Sequence, residues 1–339
     1  MGRESYFNIS TNEQREILQY YSDALSMRDI ILEKDIWLCW VLDIIFNIPN
    51  KHPMAFKGGT SLSKVFGAIN RFSEDVDITL DYRCFDISGS FSPDMSKTQA
   101  KLFSEKLKEA VKEYRNSVIV PALRSALKEL PQACHLNLNV DDSGEKIWVG
   151  YPSVLSPNQS NQYVKENVLI ELGGRNVINP NETHVVRPYI AAENQLVRFP
   201  EPNVVVLSPQ RTFWEKATLI HVECHRGIRQ NAERLSRHWY DLVKLYEQDI
   251  GKLAIDNYDL LKDVVDHKSI FFNSSYANYG DCLNNKFILI PNEDDLLELR
   301  KDYNEMHNAG MIYDSNTFTF EYVIDRMKEI EMKINSYKN

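Results

Sequence analysis

Phe56-Lys57-Gly58-Gly59-Thr60-Ser61-Leu62-Ser63-Lys64, followed shortly by Arg71-Phe72-Ser73-Glu74-Asp75-Val76-Asp77-Ile78, is the stretch from which the fold can be read. An apolar run ends in Gly58-Gly59 and gives way to a Thr/Ser-rich helix start. Such a turn presents backbone N–H groups to an anion, and the missing side chains let a phosphate approach the main chain. Asp75 and Asp77 follow two residues apart in a segment of strand character, Val76-Asp77-Ile78-Thr79-Leu80. A period of two puts both carboxylates on one face, where they suit a hard cation such as Mg²⁺. Strand, glycine turn, short helix and acidic strand together predict an α/β (α+β) chain.

The run from Lys57-Gly58-Gly59-Thr60 to Asp75-Val76-Asp77 resembles the first motif of the nucleotidyltransferase superfamily. The wording from Phe56 to Ile78 is similar to the AbiEii/AbiGii-type toxins of type IV toxin–antitoxin and abortive-infection systems. Further phrases of that family stand in the same order: Leu32-Glu33-Lys34-Asp35-Ile36-Trp37, Arg211-Thr212-Phe213-Trp214-Glu215-Lys216, Ser236-Arg237-His238-Trp239-Tyr240-Asp241-Leu242 and Asp302-Tyr303-Asn304-Glu305-Met306. The resemblance spans roughly residues 30 to 310. It implies a nucleotidyltransferase-like mixed sheet with flanking helices, a nucleoside triphosphate donor and Mg²⁺. It also implies an acceptor such as the tRNA 3′ end, whose extension would block aminoacylation and halt growth, and a cognate antitoxin protein that restrains it.

Composition bounds the rest. The chain has 339 residues, 43% of them hydrophobic and 26% charged, enough for a large core and for two closely joined lobes. Its five cysteines are scattered, with no Cys-x-x-Cys pair, which argues against a structural zinc or a disulfide framework and fits a reducing cytoplasm. The stretch Ile36 to Ile48 is short and interrupted by Asp43, so no membrane segment is expected. A net charge of −9 argues against a general nucleic-acid binder. Between Arg211 and Lys244, however, seven cations stand against four anions, and Arg226, Arg229, Arg234 and Arg237 are candidates for contacting an RNA acceptor.

Patterning divides the chain into N-terminal helices at 1–50 packing on the core, a catalytic lobe at 51–206 and a helical C-terminal lobe at 207–339. Thr11-Asn12-Glu13-Gln14 has the form of a capping box opening a helix to about Leu25, and Ile36, Trp37, Trp40, Val41, Ile44 and Ile45 repeat at helical spacing. Long helical patterns run from Lys97 to Leu130. Strands are expected at His135–Val140, Lys146–Tyr151 and Val164–Leu172, with loop and edge strand over Pro188–Val206.

The candidate site assembles from these parts. Lys57, Gly58, Gly59, Thr60 and Ser61 would cradle the nucleotide, with Asp75 and Asp77 as metal ligands. Glu171 ends the apolar run Val168-Leu169-Ile170 before Gly173-Gly174, and the resemblance makes it a third carboxylate, metal-binding and catalytic, with Asp81 and Asp86 as substitutes. The resembling family also has a later lysine and aspartate, matched here by Lys216, to neutralise the phosphates, and Asp241, to orient it. Arg71, Arg175 and Lys64 are weaker candidates. His221 and His225 are four apart, but the run reads His-Val-Glu-Cys-His and lacks the zinc-protease glutamate beside its first histidine, so zinc is rejected. Trp37, Trp40, Trp214 and Trp239 read as core. The same cradle would equally serve transfer to a protein hydroxyl or a small molecule, and a non-catalytic nucleotide- or RNA-binding protein is the contrasting class.

Overall fold

The computed structural model describes residues 3–87, 95–131, 136–155, 165–230, 234–314 and 317–336. His135 and Val164, which bound expected strands, and Glu233, one of the four anions counted between Arg211 and Lys244, lie outside them. The chain forms two compact units. One comprises Met1–Val65, Ser73–Ser88 and Glu105–Val206, the other Phe66–Phe72, Gly89–Ser104 and Leu207–Asn339.

The first unit is built on a mixed sheet. Among the described residues it has seven strands: β1 (Met54–Lys57), β2 (Val76–Asp81), β3 (Asn137–Val140), β4 (Lys146–Gly150), β5 (Asn167–Asn176), β6 (Asn181–Val185) and β7 (Asn203–Leu207). Their order is β3-β4-β5-β2-β1-β7-β6. β2 runs antiparallel to β1 and parallel to β5, and β4 is antiparallel to β5. The expected edge strand over Pro188–Val206 is instead the interior strand β7, which pairs in parallel with β1, and the edge is β6. β6 escaped the sequence reading because Asn181-Glu182-Thr183-His184-Val185 carries no apolar alternation, as an exposed edge allows.

Helix α1 (Thr11–Leu25) opens with a capping box one residue earlier than expected: Ser10 is the N-cap, its hydroxyl accepting from Glu13 N while the Glu13 carboxylate accepts from Ser10 N. Helix α2 (Asp29–Phe46) is buried on almost every side, although Glu33, Lys34 and Asp35 lie consecutively within it. An unpaired buried charge costs several kcal/mol, so each needs its own partner. Glu33 accepts 2.7 Å hydrogen bonds from Ser153 Oγ and Val154 N. Lys34 pairs with Glu74 at 2.5 Å and donates to the Lys165 carbonyl at 3.1 Å. Asp35 binds Lys64 and accepts from Tyr189 N at 2.7 Å. Lys64 is thus a buried structural cation, 4.0 Å above the Tyr189 ring, rather than a phosphate ligand. Three consecutive side chains tie one helix to the loop before β2, to α3, to residues between β4 and β5 and to Tyr189 after β6.

Helices α3 (Gly58–Lys64) and α4 (Lys97–Tyr114) follow in sequence, and a single π-helical turn, Arg115–Ile119, joins α4 to α5 (Val120–Lys128). Buried Arg115 is held there by Asp141 at 2.7 Å.

From Pro209 onward the second unit is helical, as the apolar pattern predicts: α6 (Pro209–Arg226), α7 (Arg237–Tyr246), α8 (Asp249–Ile255), α9 (Tyr258–Phe271), α10 (Tyr279–Leu283), α11 (Glu293–Asn308) and α12 (Phe320–Asn335). Trp214 and Trp239 are core residues, both 1% exposed, and their indole N–H groups donate to the Ala254 and Leu289 carbonyls, both at 2.9 Å. No helix among the described residues is long and apolar enough to cross a membrane.

Burial raises the Glu33 carboxyl to about 7, against the hydrogen bonds from Ser153 and Val154 that favour its charge. Its unfolded value lies near 4.3. Between the two the folded state holds a proton that the unfolded state releases, so this contribution is full below about pH 4 and is lost as pH rises through 7. Chemical denaturation from pH 5 to 8 should show stability falling, and Glu33→Gln should remove roughly 2–3 kcal/mol of that fall.

Candidate active site

Lys57, the last residue of β1, leads directly into α3. Gly58 has φ +81, and a β-carbon there would lie 2.1 Å from Asp77 Oδ2 and 3.0 Å from its Cγ. Glycine is therefore required twice over: for its left-handed backbone and for the carboxylate lodged against it. The Asp77 side chain stands at the N-terminal end of α3, where helix N–H groups and the dipole favour negative charge.

Register explains how distant residues meet. Lys57 pairs with Asp77, Asp77 with Glu171, and Glu171 with Lys146, so one row crosses β1, β2, β5 and β4. Directly paired residues project from the same face of a sheet, which makes this a row of alternating charge: Lys, Asp, Glu, Lys. Asp75 precedes β2 by one residue and is half-buried, like Asp77. Lys146 Nζ is 2.9 Å from Glu171 Oε1, and this hydrogen bond, with the charges of Glu171, Asp141 and Asp75, raises the lysine above its ordinary value.

The cradle residues behave differently from one another. Thr60 and Ser61 are fully buried. Thr60 Oγ1 donates to the Asp75 carbonyl at 2.6 Å and lies 2.9 Å from the Ser73 hydroxyl, so its side chain anchors the strand that carries the carboxylates. Ser61 Oγ donates to the Gly58 carbonyl at 2.9 Å. Both hydroxyls are thus engaged by the protein itself. Beside Glu171, a β-carbon at Gly173 would find its nearest neighbour, the Ile78 carbonyl, 4.0 Å away, whereas one at Gly174 would strike Val111 at 2.2 Å. Gly173 leaves the space expected of the pair, and Gly174 serves packing on α4. Asp81 is buried and engaged by Arg83 at 2.5 Å, a turn rather than a substitute ligand, and Asp86 is exposed.

Asp75 and Asp77 fit a divalent ion of the Mg²⁺ kind. Such an ion takes one or two protein carboxylates and completes its shell with phosphate oxygens and water, and the Asp77 carboxylate stands where a β-carbon of Gly58 would be, against the start of α3. Among the described residues no three or more His, Cys, Asp or Glu side chains gather into a metal cage. Glu171 is held by Lys146 in this state, so the expected third ligand is in register with Asp77 but paired to a cation.

In the second unit Asp241 is completely buried between two cations. Arg71 grips it with Nε at 2.6 Å and Nη2 at 2.7 Å, and Lys216 Nζ lies 2.8 Å from Oδ2. Burial would raise the Asp241 carboxyl, but the Arg71 and Lys216 charges outweigh it and hold it below the usual carboxylate range. Burial, opposed by Asp241 and aided by Arg71, lowers the Lys216 ammonium, whose Nζ is also 3.4 Å from His238 Nδ1. Arg71 was a weak sequence candidate, because 170 residues separate it from the carboxylate it chelates.

The four arginines surround the α6–α7 connection: Arg226 ends α6, Arg237 begins α7, Arg229 is exposed between them, and Arg234 has φ +61. Asp302 holds this connection by accepting from Arg234 N at 2.5 Å and Ser236 N at 2.6 Å. His221 is satisfied within the core, accepting from Ile288 N at 3.0 Å through Nδ1 and meeting the Asn278 carbonyl at 3.3 Å through Nε2. Burial lowers it to about 4.

A mixed sheet bearing a Gly-Gly helix start and an Asp-x-Asp strand defines the class of nucleotidyltransferases. Residues 40–324 match the family model described as nucleotidyl transferase AbiEii toxin, type IV TA system, and the chain belongs to that family. Among solved structures it is similar to MenT4, the nucleotidyltransferase toxin Rv2826c from Mycobacterium tuberculosis H37Rv, with 13% identity, a TM-score of 0.48 and coverage of 98% of this chain and 91% of that one. No curated protein matches.

Gly58→Ala should lower stability by roughly 1–3 kcal/mol, from the strained φ and the displaced Asp77 carboxylate. Denaturant unfolding together with titration by a nucleoside triphosphate should show both stability and binding reduced. Unchanged triphosphate affinity would remove the cradle role from this turn.

Proposed function

We propose that this chain transfers a nucleotidyl group from a nucleoside triphosphate to an RNA acceptor, the tRNA 3′ end, in the cytoplasm. The observation that carries the reading is the register row Lys57–Asp77–Glu171, with Asp75 two residues from Asp77 and the Gly58 backbone pressed against the Asp77 carboxylate. Asp75 and Asp77 would hold a Mg²⁺ ion. When bound, that ion neutralises charge on the transferred phosphate.

The protein's own groups do the rest. Main-chain N–H groups at the start of α3 bind phosphate oxygens, and Lys57, paired with Asp77, offers a point charge for the triphosphate. Glu171, once released from Lys146, would take the proton of the attacking hydroxyl. Lys216 and Asp241 supply a buried, oriented ammonium for the leaving phosphates. Arg226, Arg229, Arg234 and Arg237 give the polyanionic acceptor a positive track in an otherwise acidic chain. The type IV family implies a cognate antitoxin that restrains growth inhibition.

Incubation with labelled nucleoside triphosphates, Mg²⁺ and purified tRNA or total protein tests the reading: label in tRNA supports it, and label in protein alone refutes it. Asp77→Asn and Asp75→Asn should each lower incorporation a hundredfold or more, with melting temperature nearly unchanged. A folded Asp77→Asn protein with wild-type turnover would strike Asp77 from the site. Charge reversal at Arg229 and Arg234 should weaken tRNA labelling and flatten its salt dependence while triphosphate affinity stays the same. Equal labelling by that variant across a salt series would place the acceptor elsewhere.

A further inference from the structure

β4 lies beyond Glu171 in the sheet, and its residues have no part in the site described so far except through Lys146. The strand alternates: Ile147 and Val149 are buried, while Lys146 and Trp148 are half-exposed. The 2.9 Å contact of Lys146 with Glu171 fixes which face this is, because alternate residues of a strand share a face. Trp148 therefore stands on the carboxylate-bearing side of the sheet.

Its level along the sheet is also defined. Trp148 pairs with Leu169, and Ile147 with Ile170, which in turn pairs with Val76. Asp75, the residue before Val76, thus comes at the level of Leu169 and Trp148. Two inter-strand steps separate β2 from β4, about 10 Å. That is the reach between the phosphates of a nucleotide and its base when the ribose lies between them.

The chain has five tryptophans. Trp37, Trp40, Trp214 and Trp239 are at most 6% exposed, whereas Trp148 is only half-buried. Trp148 thus offers part of an aromatic surface on the side of the sheet that carries the charged row. Every nucleobase presents a π-face that stacks on indole without demanding a particular hydrogen-bond pattern.

We infer that Trp148 is the platform on which the base of the donor nucleoside triphosphate stacks, with its phosphates directed toward Asp77 and Gly58. This rests on the nucleotidyl-transfer reading above. It names the base-binding subsite of the same centre and assigns it to β4. Lys146 then lies between base and carboxylates, beside the ribose or α-phosphate.

The test uses the full-length protein with Mg²⁺ and five probes: ATP, CTP, GTP, UTP and inorganic tripolyphosphate. Nucleoside triphosphates should quench wild-type tryptophan fluorescence, and tripolyphosphate should not. In Trp148→Ala the best-bound nucleoside triphosphate should bind about fivefold to a hundredfold more weakly, with tripolyphosphate affinity unchanged. Trp148→Phe keeps an aromatic face, so it should retain affinity within about threefold and lose most of the quench. Should Trp148→Ala misfold, the Phe variant still decides: quenching as strong as in wild type would overturn the platform. Folded Trp148→Ala with wild-type nucleoside triphosphate affinity would do the same, including the case in which only RNA modification falls. A wild-type protein that binds no nucleoside triphosphate at all would overturn the nucleotidyl-transfer reading itself, and the platform with it.

Discussion

The carboxylate of Asp77 occupies the place where a β-carbon of residue 58 would be. Much of the first unit follows from that contact. It requires a left-handed glycine at the junction of β1 and α3, brings the helix N-terminus and an acidic side chain together, and demands that β1 and β2 pair in a single register, with Lys57 opposite Asp77. A one-residue slip would turn Asp77 into the buried face and bring Ile78 out. The neighbouring apolar residues, Val76, Ile78 and Leu80, are at most 0% exposed and make such a slip prohibitively costly. The hydrophobic face thereby sets the position of the polar one.

Buried charge holds the same segment from behind. α2 spends three consecutive polar positions on the interior, and one of them, Lys34, grips Glu74, the residue immediately before Asp75. Thr60 adds a hydrogen bond to the Asp75 carbonyl. Replacing such buried pairs with apolar residues often costs little stability, so their value here is better sought in position than in energy. A carboxylate whose neighbours are fixed by a buried ion pair and a buried hydroxyl keeps its geometry. The Arg71–Asp241–Lys216 cluster of the second unit follows the same rule with the charges inverted: one carboxylate serves two cations, the guanidinium taking both oxygens and the lysine sharing Oδ2.

Local pattern was enough for several elements. The Gly-Gly turn, the Asp-x-Asp strand, the helical run after Pro209 and the core tryptophans of α2, α6 and α7 all show in the sequence, because glycine, alternation and helical spacing act over a few residues. The family, too, was legible from short phrases such as Phe56–Ile78. Glu33, Lys34 and Asp35 could be quoted but not explained, since their partners lie between 29 and 154 residues away.

What only the tertiary structure decided is pairing across the sheet and through the core. No local signal marks β6, because an edge strand needs no apolar face. Nothing in Glu145-Lys146-Ile147-Trp148 announces that Lys146 meets Glu171 or that Trp148 shares the face of Asp77; strand register alone brings them there. Likewise Arg71 becomes the chelator of Asp241 only when a segment before β2 meets α7. The sequence by itself determined the residue types the chemistry needs and the turns that present them, since those depend on neighbours along the chain. Which cation faces which carboxylate depends on strand order and helix packing, and these are settled only when the whole core closes.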